Sequence, residues 1–285
     1  MSSDSLFADR AAVLATMHRK EQVMAPILET ELGVRILLPE NFDSDRFGTF
    51  TRDIKRPGDQ QQTARIKAES AMELTGHSLA VANEGSFGPH PLMPYISCNR
   101  ELAILVDREN DLEIVGQALS TATNYSHQQV TTVAEARSFA DKIGFPQHGL
   151  VAMADPDARS QTEIFKGIDT EDRLIEVVNS MLAKFDRVHL ETDMRAMYNP
   201  TRMQVIAQAT QDLVKVAKQC CPQCQRPGFA VIRRRQGLPC SWCGLPTELT
   251  LADIYQCQKC NFSREVLFPD DRETADPGRC FYCNP

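Results

Sequence analysis

Eight cysteines near the C-terminus stand in four pairs of identical spacing: Cys221 and Cys224, Cys240 and Cys243, Cys257 and Cys260, Cys280 and Cys283. Two cysteines two residues apart can place both sulfurs on one tetrahedral ion, because the turn between them wraps its backbone around the metal. Four such knuckles supply the ligands of two structural Zn²⁺ ions, since closed four-cysteine sites leave no open position for a reacting water. The rival chemistry, a redox dithiol, uses a single CxxC at a helix start after a strand, and four knuckles do not fit it. Fifteen residues separate the first two knuckles and nineteen the last two. Sequential pairing predicts two zinc ribbons in tandem, although crossed pairing stays open. In that layout Phe229–Ile232 is a strand, Arg233–Gly237 a hairpin turn and Phe262–Phe268 a second strand. Arg233–Arg235 could touch the phosphates of a nucleic acid, but a solvated hairpin tip is the commoner situation. Cys220 could replace Cys221 as a ligand, although a free thiol is the commoner situation.

Upstream, three segments of the first hundred residues carry polar chemistry. The first, Thr16-Met17-His18-Arg19-Lys20-Glu21, joins a strand to a helix, where free N–H groups and the helix dipole favour an anion. The second places Arg65 and Lys67 on a helix. The third, Asn83 to Pro91, contains Glu84, Ser86 and His90 and reads as a glycine-rich loop beyond an apolar strand, where α/β sheets bind ligands. A fourth segment runs from Glu191 and Asp193 through Arg195 to a helix start at Asn199-Pro200, followed by Arg202. There two carboxylates could hold Mg²⁺ while Lys166, Arg195 and Arg202 clamp phosphates. A salt-bridged junction is the equally weighted alternative.

The elements that must position these groups alternate between strand and helix from Arg10 to Lys218. Strands are expected at Ala11–Ala15, Val34–Leu38, Ser78–Ala82, Leu102–Val106, Leu112–Val115, Leu150–Met153 and Glu163–Ile168. Helices are expected at Arg19–Leu32, Asp59–Thr75 (with Ala64, Ala68, Ala71, Met72 and Leu74 mainly on one face) and Val133–Ile143. Two more should start after Thr170 and at Pro200. A polar loop, Pro39–Gly58, connects the second strand to the second helix. The expected organisation is a flexible N-terminus (1–9), an α/β domain (10–218) and a zinc-ribbon domain with two four-cysteine sites (219–285).

The net charge is −7, and the tail from residue 219 holds eight basic against seven acidic residues, so the preceding region is −8. Neither part is the basic surface of a protein that lives on nucleic acid. No apolar run approaches the roughly 18–20 residues of a membrane helix, so no membrane partner is expected. The opening MSSDSLFADR lacks the bases and apolar run of a signal peptide. A cytoplasmic location is therefore expected, with the cysteines reduced or metal-bound.

The stretch Thr63-Ala64-Arg65-Ile66-Lys67-Ala68, then Thr75-Gly76, then Ala82-Asn83-Glu84-Gly85-Ser86 resembles the inosine/xanthosine triphosphate pyrophosphatase superfamily. There a helix of the type NAxxKA ends in TG and the following strand closes on ADDSG. The segment Thr16–Lys20 is similar to that superfamily's phosphate loop, S/TxNxxK, and Glu191–Arg202 is a looser echo of its AEM…KN..SHR segment. The resemblance implies a two-lobed mixed-sheet α/β fold and Mg²⁺-dependent hydrolysis of a nucleoside triphosphate to monophosphate and pyrophosphate. It puts Glu84 in the role of activating water or binding metal, Lys67 on the helix lysine and Lys20 in the phosphate loop. His18, Asn83 and Gln62 depart from the pattern, the last leaving Asp59 or another acid to take the metal. Over its whole length the chain is also similar to a bacterial family of unassigned function ending in four such knuckles.

The expectation is thus a metal-dependent hydrolase. Its catalytic residues would be Glu84, Lys67, Lys20 and Asp193; Thr16, His18, Arg65, Ser86, His90, Lys166, Arg195, Asn199 and Arg202 would bind substrate. The competing reading is a non-enzymatic adaptor whose zinc tail binds protein or nucleic acid while the α/β domain senses a ligand. Homo-oligomerisation stays open.

Overall fold

A computed structural model describes residues 4–48, 54, 56–154 and 163–285. Residues 49–53 and 55 of the expected Pro39–Gly58 loop lie outside the described residues. The chain divides into two units: Ala8–Val214, and a second made of Met1–Phe7 with Lys215–Pro285. Among the described residues the first unit contains two sheets. β1 (Ala11–Ala15), β2 (Arg35–Leu37), β3 (Leu79–Pro89), β4 (Ser97–Asp107) and β5 (Leu112–Ser120) form a sheet ordered β2-β1-β3-β4-β5. Its first three strands are parallel, and β4 and β5 are added antiparallel. β6 (His127–Val130), β7 (Leu150–Met153), β8 (Ile164–Ile168) and β9 (Val188–Thr192) form an antiparallel sheet ordered β6-β9-β7-β8.

Each sheet has its own core. The buried run of β1 is that of a parallel strand covered on both faces. Helix α2 (Glu21–Leu32) follows it, and α3 (Gln60–Thr75) lays Ala64, Ala68, Ala71 and Met72 on Val13, Ala80, Ala82 and Ile104. Leu74, expected on that face, is exposed. A capping box starts α3, with the Asp59 carboxylate accepting from the Gln62 N–H at 2.8 Å. Asp59, named above as an acid that could take the metal, thus serves as the cap of α3. On the second sheet, α4 (Val133–Ile143) and α5 (Glu171–Leu182) bury Phe139, Leu174, Val177 and Met181 against Leu150, Val188 and Leu190. Thr132 caps α4 by accepting from Glu135 N–H at 3.2 Å, whereas Thr170 sits at the cap of α5 without a side-chain bond.

The expected loop Asn83–Pro91 is strand as far as Pro89: β3 pairs with β4 from Leu79 opposite Asp107 to Pro89 opposite Ser97. Polar residues and two glycines break the apolar run and disguise the strand, while β4 supplies the hydrogen bonds. Gly85 is there for close approach, because a Cβ would fall 2.3 Å from Glu101 Oε1 and 2.5 Å from Arg202 Nη2. Helix α6 (Pro200–Lys218) packs its backbone directly on β5, where a Cβ on Gly116 would lie 2.0 Å from Leu213 N. Gly116→Val is therefore expected to lower stability by at least ~1–3 kcal/mol, read from the midpoint of chemical denaturation.

Residues 4–7, expected to be flexible, form a short helix, α1 (Asp4–Phe7), with Phe7 buried. The C-terminal unit holds one antiparallel sheet of β10 (Ala230–Gln236), β11 (Thr250–Gln256) and β12 (Ser263–Leu267). Arg233–Gln236, expected in a hairpin turn, belong to β10. Among the described residues no helix is long and apolar enough to cross a membrane.

Candidate functional site

A cavity of about 620 Å³ is lined from both sheets of the Ala8–Val214 unit. His18 and Lys20 reach it from the β1–α2 turn, Lys67 from α3, and Glu84, Ser86 and Phe87 from β3. Across from them stand Lys166 of β8, Glu191 at the end of β9, Asp193 and Arg195 just beyond it, and Arg202 from the first turn of α6. Lys20, Lys67, Glu84 and Asp193, the four residues expected to act together, thus share one cavity.

Four expected residues do not line it. Arg65 is paired with Glu113, Nε to Oε2 at 2.5 Å. His90 is half-buried near the end of the β3–β4 hairpin, accepting from Leu92 N–H at 3.2 Å. Thr16 accepts from His18 N–H at 3.4 Å and Asn199 from Arg202 N–H at 2.9 Å, so both shape the backbone of the site. Arg56, Asp45, Phe87 and Tyr125 line the cavity but were not expected there. Asp45 opens a single 3₁₀ turn (Asp45–Phe47) and Arg56 lies outside any helix or strand, so no periodicity signals a direction for either. Phe87 and Tyr125 stack with ring centroids 5.7 Å apart, a pairing made only by the tertiary fold.

The electrostatics are tight. Glu84 is buried between Lys67 (Nζ to Oε2, 2.5 Å) and Arg56 (Nη2 to Oε1, 2.8 Å). Burial works against its carboxylate, but the charges of Lys67, Arg56 and Lys20 outweigh that and hold its pKa below the usual range. Lys20 is buried and donates to Asn83 O at 3.3 Å. Desolvation, with Arg202 and Lys67 nearby, brings its ammonium down to about 7. Burial likewise lowers His18 despite Asp45, 3.4 Å from its Nε2. Asp193 is held by the Gly167 N–H (3.1 Å) and by Arg195 (Nη2 to Oδ2, 2.7 Å), whose guanidinium lies over Tyr198. Arg202, also buried, donates to Glu101 Oε1 (2.8 Å) and to Met194 O (2.5 Å). Among the described residues, six lysine or arginine and four acidic side chains line the cavity, an excess of positive charge in a protein of net −7. Such a pocket suits a multiply charged anion.

The cysteines assemble into two groups, Cys221-Cys224-Cys257-Cys260 and Cys240-Cys243-Cys280-Cys283, each able to hold one zinc ion. A tetrahedron with Zn–S bonds of about 2.3 Å has sulfur–sulfur edges of about 3.8 Å. Sulfur separations of 3.6 and 3.5 Å in the first group, and of 3.9 and 3.7 Å in the second, match it. The pairing is crossed rather than sequential, and the sheet explains why. Ala230 pairs with Gln256, so the knuckle before β10 meets the knuckle after β11 at one end. The chain leaving β10 and the chain leaving β12 bring the other two together. Two tandem ribbons are thus replaced by one three-stranded sheet with a cysteine group at each end. Without metal, N–H groups of Cys243 and Trp242 bring the Cys240 thiol down to about 7. In the other group burial opposes the Cys257 thiolate, but N–H groups of Cys260 and Lys259 bring it to about 7 as well. Each group therefore offers one ready thiolate near neutral pH. Arg234 and Arg235 are paired with Asp253 and Glu265 across the sheet and do not form a free basic tip.

Comparison with curated proteins finds no match. Residues 67–285, from Lys67 of the cavity through both cysteine groups, match DUF6671, a domain of unknown function, and the chain belongs to that family.

Proposed function

We propose that the Ala8–Val214 unit hydrolyses a nucleoside triphosphate or a related phosphate ester, releasing pyrophosphate. The observation that carries this reading is the convergence of Lys20, Lys67, Glu84, Asp193 and Arg202, from separate stretches of the chain, on one cavity. Two sheets flanking that cavity, and the likeness of the Thr63–Ser86 and Thr16–Lys20 segments to nucleotide pyrophosphatases, support it. In this reading Lys20, Lys67, Lys166, Arg195 and Arg202 hold the phosphates in line. The Phe87–Tyr125 stack offers an apolar wall to the base. Glu84, ionised at neutral pH, orients the attacking water. Water adds to the α-phosphorus, the bond from that phosphorus to the bridging oxygen breaks, pyrophosphate leaves with the electron pair, and the proton of the attacking water passes to solvent.

A resident Mg²⁺ does not fit the protein side chains alone. Among the described residues no three His, Asp or Glu groups converge closely enough to share one ion. Glu84, Asp193, Glu191 and Asp45 each already hold a basic group or histidine. Any magnesium therefore arrives with the substrate, carried on its phosphates. The same pairing favours a second reading, in which the cavity binds the nucleotide as a sensor without turning it over.

Pyrophosphate release from a panel of nucleoside triphosphates, measured with Mg²⁺ or Mn²⁺, separates the two. Turnover of at least one member is expected, and binding of several without release by any would leave the sensor. Lys20 adds a pH test. A bound phosphate favours its ammonium, so affinity should be highest below about 7 and fall as pH rises through that value. Calorimetric titration with inorganic pyrophosphate at about pH 6 and about pH 8 should show the fall. Lys20→Met should flatten most of it, leaving the lower-lying contribution of His18.

A further inference from the structure

The sole tryptophan of the chain stands in the open. Trp242, inside the second knuckle, is 78% exposed, and Phe281 and Tyr282, inside the fourth, are 78% and 68% exposed. Those two knuckles share one cysteine group, so the three aromatics ride on a single metal centre. The knuckle turns its backbone inward, with the Trp242 N–H 3.4 Å from Cys240 Sγ, and this sends the inner side chains outward. Phe281 and Tyr282 meet edge to face at 6.1 Å. Knuckle geometry does not demand aromatics here, because the other centre carries Pro222-Gln223 and Gln258-Lys259 at the same positions. Large aromatics left in water on a rigid support are the anchors that protein interfaces enrich.

The charge around them selects the partner. From Leu238 to Thr250 the one charged residue is Glu248. From Asp270 to Pro285, Asp270, Asp271, Glu273 and Asp276 outnumber Arg272 and Arg279. All five acids are exposed. The strip Glu273–Asp276 runs against the second knuckle, with Ser241 N–H donating to Ala275 O at 3.0 Å and Ala275 N–H to Pro239 O at 2.8 Å. The surface is therefore −3 from its residues, and a Zn²⁺ bound by four thiolates adds −2. A phosphate backbone is repelled by that field. A lysine or arginine head is attracted by it and stacks on an aromatic face.

We infer that the aromatic tips of the Cys240–Cys283 centre bind a cationic segment, rich in lysine or arginine, of a partner protein. Trp242 and Tyr282 receive the charged heads, Phe281 packs the stems, and the flanking acids set the sign. The site is independent of the cavity and its chemistry.

Trp242 is its own reporter. The zinc-loaded full-length protein is titrated with a synthetic peptide alternating arginine and leucine, and tryptophan emission is followed. A saturable change that weakens with added salt is expected, with none from the same peptide carrying glutamate for arginine. Tyr282→Ser should weaken binding about three- to thirtyfold with zinc content unchanged, and Glu248→Lys with Glu273→Lys should also weaken it. No saturable change with the arginine peptide overturns the proposal, as does an affinity indifferent to Tyr282→Ser. Equal or tighter binding of a single-stranded oligonucleotide overturns it too. So does a concentration-dependent emission change without peptide, which would assign the surface to a second copy of the chain.

Discussion

Removing zinc should unfold the C-terminal unit, the largest effect expected for this protein. Structural Zn²⁺ in small domains supplies about 10–16 kcal/mol of apparent binding free energy. Beyond its cysteines, the described core near the first centre amounts to little more than Phe229, Tyr255 and Phe262. A strong chelator should therefore abolish β10–β12, and Trp242 emission with limited proteolysis would read the loss. The Ala8–Val214 unit has its own two cores and should keep its secondary structure. Elemental analysis should find two zinc ions per chain. Acidification should release them, because each metal ion competes with protons for its thiolates.

The crossed pairing makes a sharper form of the same test. Cys221→Ser with Cys257→Ser touches one centre and should leave one ion bound. Cys221→Ser with Cys240→Ser touches both and should reduce binding at each. Sequential pairing requires the opposite pattern, so the stoichiometry of the two double variants decides between them.

Glu84→Gln should have the second largest effect, and it separates stability from chemistry. The side chain keeps its shape but loses the charge that Lys67 and Arg56 share. Removing one partner of a buried pair costs about 3–5 kcal/mol, because the remaining charge is left uncompensated. The sign with pH follows. A carboxylate whose folded pKa is lowered contributes above its unfolded value of roughly 4.3, and the contribution is lost as pH falls through the folded value. The variant should therefore be less stable at neutral pH and should converge with the parent in acid. Lys67→Met added to Glu84→Gln should recover much of the stability by removing the orphaned ammonium. If Glu84 orients the attacking water, pyrophosphate release should fall about 10²–10⁴-fold in Glu84→Gln. The double variant should not recover it. An unchanged rate in a folded Glu84→Gln would end Glu84's catalytic assignment while leaving its structural role intact.

The capacity for two zinc ions is legible in the sequence, because CxxC spacing is a local property that no distant contact has to supply. So are β1 and the extents of α3 and α4, whose caps and apolar periodicity are decided within a few residues of themselves. The ligand partners of each zinc are not, because they follow from β10 pairing with β11, and β11 left no mark strong enough to be read. Glu84, Lys67, Lys20 and Asp193 announce themselves as charged groups beside strand ends and helix starts. That they meet, and that Glu84 is ionised while Lys20 sits near neutrality, depends on how two sheets close around them. The clearest case is Gly85. Its sequence context suggests a loop, yet it lies in a long strand, glycine because Glu101 and Arg202 occupy the space a side chain would need. Local spacing settles which groups the chain possesses, and long-range packing settles which of them face one another and in what charge state.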